Sequence, residues 1–310
     1  MKTMNACQKP LARHEKRFHV QLHMISTLLS AGLAVFLGAC SPPTLPAVTV
    51  QNADYAEVRK EFRTVLLRKG PAPQEWGTST PGPGVTEVQF ESSGNNLKAW
   101  LSHPNDKSKH RGLIFLHGGC SFENGDWAMT EPFQRAGYLV LAPILRGENG
   151  QKGSFSFFYD EVGDVLAATE YLSRQPEVDA ANIFIAGHSF GGTLALLSAM
   201  ATNRFRAGVA FSACPDVRRY LQSMPEVAVF DPKDSREILV RSPYAYATSF
   251  KCPIRMIYGA EEAGLDLLTR ITATTASQHG LDVAAIKVPG QHADSPSNGM
   301  KQAREFFDQH

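Results

Sequence analysis

The chain has 310 residues, 43% of them hydrophobic and 20% charged, with a formal net charge of +1. That balance excludes disordered and collagen-like chains, and it provides no electrostatic footprint for nucleic acid. Five cysteines with no CxxC pair exclude a disulfide scaffold, and the length suits one large α/β domain with an appendage.

Residues 1–39 read as an export leader. Lys2, Lys9, Arg13, Lys16 and Arg17 precede an uncharged apolar run from Ile25 to Ala39, the order of a signal peptide. The run falls short of the roughly 20 residues of a membrane-spanning helix. It ends Leu37-Gly38-Ala39-Cys40 before Ser41-Pro42-Pro43, which resembles a bacterial lipobox. The resemblance implies that Cys40 becomes the lipidated first residue of the mature chain. Ser41, where sorted lipoproteins retained at the inner membrane carry Asp, implies an outer-membrane anchor facing the periplasm. Setting the leader aside, with its five basic residues and the single acidic Glu15, turns the net charge to −3.

Residues 40–84 are expected to be a tether and an N-terminal helix. Val58, Phe62, Val65 and Leu66 recur at helical spacing within Asp54–Lys69, closed by Gly70-Pro71. Pro71 to Gly84 reads as a connector. A catalytic domain is predicted over 85–310. It opens on a hairpin, Val85–Glu91 and Leu97–His103, turning through Ser93-Gly94-Asn95-Asn96. Six apolar runs follow: Gly112–Leu116, Tyr138–Ala142, Ile183–Ala186, Ala207–Phe211, Ile254–Tyr258 and Ala284–Val288. Helical stretches lie between most of them, clearest at Asp160–Arg174, Thr193–Ala201 and Leu265–His279. Alternating helices and wholly apolar strands predict an α/β fold, an eight-stranded mostly parallel sheet covered on both faces. Residues 215–247, between the sixth and seventh strands, are too long for a plain crossover and predict a small cap carrying Tyr220, Met224, Phe230, Tyr244 and Tyr246. Phe155, Phe157, Phe158 and Tyr159 form a second apolar cluster, to be read either as cover for the site or as core.

The third parallel run leads into Gly187-His188-Ser189-Phe190-Gly191-Gly192 and then a helix. This is G-x-S-x-G between strand and helix, the setting in which a strained turn lifts a serine hydroxyl out of the sheet. Ser189 is the candidate nucleophile. The helix start beneath it supplies N–H groups and positive potential to an oxyanion. An earlier strand ends in His117-Gly118-Gly119-Cys120, where a second oxyanion donor belongs. The expected donors are the backbone N–H groups of Phe190 and Gly119, with Cys120 as the substitute. His117 is expected to support its loop, and His188 to point away from the site.

Such an elbow orders its partners serine, acid, histidine. His292, in Pro289-Gly290-Gln291-His292 after the last strand, is the candidate base. Glu262, in Gly259-Ala260-Glu261-Glu262 after the seventh strand, is the candidate acid, with Asp266 and Glu261 as alternatives.

These residues resemble the α/β-hydrolase superfamily and, within it, the prolyl oligopeptidase catalytic domain and its dienelactone hydrolase-like esterase relatives. The resemblance runs over roughly 85–307. Arg146-Gly147, the stretch from Asp160 to Leu172, Asp179 to Ile183, the 187–192 elbow and Arg241-Ser242-Pro243-Tyr244 ahead of Cys252-Pro253-Ile254 carry it. It implies a serine hydrolase that forms an acyl-enzyme. Two departures stand out: Glu262 occupies the position where the family has Asp, and only residues 41–84 precede the domain where family peptidases carry a propeller. Carboxyl esters are therefore the expected substrates, with short peptides, or an inactive protein binding an acyl ligand or a partner, as alternatives. Cys120 and Cys214 lie beyond strand ends and Cys252 at a strand start, so Cys120–Cys214 is the one conceivable disulfide. No cluster has metal spacing and the chemistry requires no cofactor.

Overall fold

The computed structural model describes residues 49–310 apart from Asn105, Lys107 and Ala263. The leader and Cys40 lie outside the described residues. In chain order the elements are helix α1 (Tyr55–Glu61), strands β1 (Val85–Ser92), β2 (Asn95–Ser102) and β3 (His110–Leu116), then short helices α2 (Asn124–Ala128) and α3 (Glu131–Arg135). Strand β4 (Leu139–Pro143), α4 (Asp160–Ser173), β5 (Val178–His188), α5 (Phe190–Ala201) and β6 (Gly208–Phe211) follow. The chain closes with α6 (Val217–Ser223), α7 (Ser235–Leu239), β7 (Ile254–Gly259), α8 (Leu265–Gln278), β8 (Val283–Val288) and α9 (Ser295–Asp308).

The eight strands form one sheet in the order β1-β2-β4-β3-β5-β6-β7-β8. β2 runs antiparallel to both β1 and β4, and the remaining pairs are parallel. The predicted hairpin closes on Ser93 and Gly94, both at positive φ (49° and 78°), the backbone that a two-residue hairpin turn requires. Alternation along β3 shows the two-sided burial. Leu113 and Phe115 join the core cluster containing Phe133 of α3 and Phe307 of α9, whereas Ile114 and Leu116 join the cluster of α4 and α5. A strand buried on both faces has no polar face, which is why these runs are continuously apolar. This is the α/β-hydrolase fold, and its parallel strands end together on the edge where the candidate residues lie.

Two expectations are corrected. The helix predicted over 54–69 ends at Glu61, capped at its start by Asp54, whose carboxylate accepts from Ala56 N at 2.9 Å. Beyond it the chain is drawn out by tertiary bonds. Thr64 Oγ1 and Val65 N donate to Glu237, and Leu67 N donates to Val229 O. Leu66 bridges Phe230. Periodicity cannot register such distant partners. Cys120, Cys214 and Cys252 are all free thiols, so the conceivable disulfide is not formed.

The segment between β6 and β7 folds into α6, α7 and two 3-10 turns over the strand ends. The fully buried Arg241 ties it down. Its guanidinium donates to Ser156 O, to Glu237 and to Thr64 Oγ1, joining the loop after β4, the cap and the N-terminal strap. The two apolar clusters seen in the sequence merge here, with Phe157 and Phe230 stacked at 6.5 Å.

Candidate active site

Ser189 sits between β5 and α5 at φ 55° and ψ −116°, a strained backbone for any residue with a Cβ. Its N–H donates to Phe211 O at 2.9 Å, and its carbonyl accepts from Thr193 N at 3.0 Å. Glycine flanks the turn for steric reasons. A Cβ on Gly187 would lie 2.3 Å from Gly191 O, and one on Gly191 would lie 2.2 Å from Leu116 O. Strand, turn and helix therefore approach to a distance that only hydrogen side chains allow.

Glu262 and His292 are brought together by the loops after β7 and β8. His292 Nδ1 lies 2.6 Å from Glu262 Oε1. Glu262 Oε2 accepts from Gly259 N and Ser212 Oγ, both at 2.6 Å. Burial alone would raise this carboxyl, but the bonds from His292, Ser212 and Gly259 hold it below its ordinary value. An ionised carboxylate only accepts, so Nδ1 carries the proton and Nε2 is the basic nitrogen. Half of the His292 side chain is exposed, against 7% for Glu262, so the candidate base reaches solvent while its partner is shielded. Asp266 is engaged elsewhere. Tyr258 Oη and Arg270 Nε donate to it at 2.6 and 2.7 Å, and these bonds hold its carboxyl down at about 2. The Glu261 side chain is exposed.

Among the described residues no hydrogen bond joins Ser189 Oγ to His292. The Ser189 side chain instead interacts with the Tyr220 phenol, which also lies 3.0 Å from Thr193 Oγ1; burial raises that phenol's pKa. Free enzymes commonly close the serine–histidine bond only with substrate in place. Contrary to expectation, His188 does not point away. Its Nε2 donates to His292 O at 3.0 Å, and the two rings lie 4.9 Å apart, so it braces the loop carrying His292.

On the other flank, Gly119 at φ 65° lies within the loop after β3. The N–H groups of Gly119 and Phe190 have no acceptor among the described residues. Cys120 N, the substitute donor, is taken: it donates to Gln74 Oε1 at 2.8 Å. His117 supports this loop through a buried pair, Nε2 to Glu148 Oε2 at 2.9 Å. Burial would lower the imidazole's pKa, but the Glu148 carboxylate prevails and raises it to about 9.

A groove of about 460 Å³ opens beside the pair, lined by Cys214, Arg219, Tyr220, Leu265 and His292 among others. Behind its wall, Tyr220 packs against Phe190 at 4.5 Å, and Phe190 lies 5.2 Å from Phe158 between ring centroids. Phe157 and Phe158 both hold positive φ (53° and 71°). Glu161 clamps this strained turn by accepting from Ser156 N and Oγ, and burial pushes its carboxyl up to about 7.

The sequence model of the prolyl oligopeptidase family matches residues 126–262, a span containing both Ser189 and Glu262. The chain is a serine hydrolase. The hydrolase is 23% identical over 196 residues to the uncharacterized peptidase YtmA of Bacillus subtilis, a match covering 58% of this chain and 74% of that one. Its fold is similar to that of the Pyrococcus horikoshii acylaminoacyl peptidase (TM-score 0.60, 22% identity, 72% of this chain and 41% of that one). It is likewise similar to the Pyrobaculum calidifontis esterase (TM-score 0.57, 19% identity, 74% of this chain and 84% of that one). The hydrolase thus spans about two fifths of the acylaminoacyl peptidase.

Three residues of the site were not singled out in the sequence. Ser212 donates to Glu262 from behind and is backed by Ser295, their hydroxyls 2.6 Å apart, and Gln74 reaches the loop after β3 from the N-terminal connector. Only Ser212 left a signal, as the polar residue directly after the buried run Ala207–Phe211.

Proposed function

We propose that the hydrolase is a serine peptidase that cleaves short peptides through an acyl-enzyme. The observation that carries this reading is the Glu262–His292 pair, tied through His188 to the turn that carries the strained Ser189, within a chain matching the prolyl oligopeptidase family model. Ser189 Oγ attacks the carbonyl carbon and His292 Nε2 takes its proton. Glu262 holds the tautomer and stabilises the imidazolium. The tetrahedral oxyanion is held by Phe190 N–H and Gly119 N–H, a donor of this kind being worth about 3 kcal/mol. His292 then protonates the leaving amine, and water, deprotonated by the same nitrogen, releases the acyl group.

Carboxyl esters are the second reading. The similarity to an esterase, most of whose length this chain spans, supports it. The two share every step but the leaving group, so the test is a ratio. Aminoacyl-nitroanilides and p-nitrophenyl esters of the same acyl group are to be compared by kcat/KM; turnover of the esters alone would reverse the order proposed here. A fluorophosphonate probe that fails to label Ser189 would leave only a binding protein.

Residues 1–39 and Cys40 support an exported, lipid-anchored enzyme at the outer membrane. Among the described residues no helix is long and apolar enough to cross a membrane. Cys40→Ala is expected to release the protein from the membrane fraction and to abolish labelling by a radioactive fatty acid. Unchanged fractionation would end the lipoprotein reading.

A further inference from the structure

The connector between α1 and β1 reaches the loop after β3 through Gln74. Its path is set by Phe155 N donating to Gly70 O and Ala72 N donating to Gly147 O, both at 2.9 Å. Pro71 and Pro73 restrict the backbone on either side of the buried Ala72. Two residues past that anchor, Gln74 extends its carboxamide to the loop after β3. Its Oε1 accepts from Cys120 N at 2.8 Å and occupies the space that a Cβ on Gly119 would fill, 2.5 Å from that position.

We propose that Gln74 is a positioning residue for the oxyanion loop: by capturing the Cys120 N–H it fixes the Gly119–Cys120 peptide and leaves the Gly119 N–H as the loop's donor to the acyl oxygen. The geometry demands such a device. Gly119 has no Cβ to bias its backbone, so the peptide that follows it rotates at little cost. A rotated peptide turns the Gly119 carbonyl, another acceptor, towards the place where negative charge develops. Oxyanion stabilisation depends on donors oriented before the reaction, and on this loop a side chain 46 residues upstream does the orienting. Glutamine suits the task, being neutral, bearing an acceptor and long enough to span from the strap.

This inference rests on the acyl-enzyme mechanism proposed above. The test is steady-state kinetics of the full mature chain on one p-nitrophenyl ester, for the wild type, Gln74→Ala and Gln74→Glu, with fluorophosphonate labelling in parallel. Gln74→Ala is expected to lose about tenfold in kcat while KM stays within about twofold, the size of one lost hydrogen bond to the loop. Gln74→Glu keeps an acceptor for Cys120 N but sets a negative charge beside the oxyanion. Its kcat relative to wild type should be depressed at neutral pH and climb as pH falls through the carboxyl range. The charged groups around the loop, His117, Asp126, Glu148 and Glu161, are common to both proteins, which is why the comparison is made as a ratio to wild type. Wild-type labelling together with a Gln74→Ala kcat equal to wild type overturns the role of Gln74 alone, and a kcat above wild type makes it an obstruction. An effect confined to KM, or a ratio for Gln74→Glu that is flat with pH, overturns it as well. Absence of labelling in the wild type removes the mechanism itself.

Discussion

Replacing Glu262 by glutamine tests the site most severely, because the carboxylate's two oxygens have different duties. Oε1 faces His292 Nδ1, whereas Oε2 accepts from Gly259 N–H and Ser212 Oγ. A carboxamide has one acceptor and one donor end. The Gly259 N–H is an obligatory donor, so the carboxamide oxygen turns to it and the NH2 turns to His292. The imidazole must then accept at Nδ1 and carry its proton on Nε2, the wrong tautomer for taking a proton from Ser189. In serine hydrolases that change costs about 10⁴ in kcat, or about 5 kcal/mol at 1.36 kcal/mol per decade. Glu262→Asp keeps the charge but withdraws it by one methylene. The loops cannot close the gap, because a Cβ on Gly259 would already lie 2.5 Å from Gly290 O. A smaller loss of about 10- to 100-fold is expected. Asp266→Asn should leave kcat unchanged, its carboxylate being held by Tyr258 and Arg270. The assay is the acylation burst with a p-nitrophenyl ester, backed by circular dichroism to show that each variant is folded. A folded Glu262→Gln within tenfold of wild type would refute the reasoning, as would a large loss in Asp266→Asn.

Other outcomes follow from the same geometry. The His117–Glu148 pair raises the imidazole from its ordinary 6.5 to about 9. Its contribution to stability is therefore complete below about pH 6.5 and is lost as pH rises through about 9. The urea midpoint should fall across that window, and Glu148→Gln should remove the dependence; a wild-type midpoint flat over this range contradicts the pairing. Gly191→Ala places a methyl 2.2 Å from Leu116 O and should cost about 3 kcal/mol or more in stability together with fluorophosphonate labelling, so an unchanged melt would show that the elbow can yield. Ser212→Ala takes one donor from Glu262 and the link to Ser295; kcat should fall about 10- to 100-fold at constant KM, and a rise in KM instead would place Ser212 in substrate binding.

The strands and the elbow were legible because their physics is local. A run such as Ile183–Ala186 is apolar at every position since both faces of its strand are covered, and the glycines at 187 and 191 are dictated by backbone approach within a few residues. The acid was less legible. Glu261, Glu262 and Asp266 lie within six positions, and which one meets His292 depends on how two loops 30 residues apart pass each other at Gly259 and Gly290. His188 was misjudged for a similar reason, its partner being a carbonyl 104 residues away. The helix predicted over 54–69 illustrates the converse. Val65 and Leu66 keep helical spacing, but bonds to Glu237 and Val229 hold that stretch extended.

By itself the sequence determined the layered sheet, the strained turn that carries Ser189 and the short set of candidate partners, because alternation, glycine and chain order act over a few residues. Only the tertiary structure decided that Glu262 rather than Asp266 faces the base, that Ser212 braces it, and that the Cys120 amide is already engaged by Gln74. Each of those depends on a hydrogen bond between segments far apart in the chain, and such a bond leaves no periodicity behind.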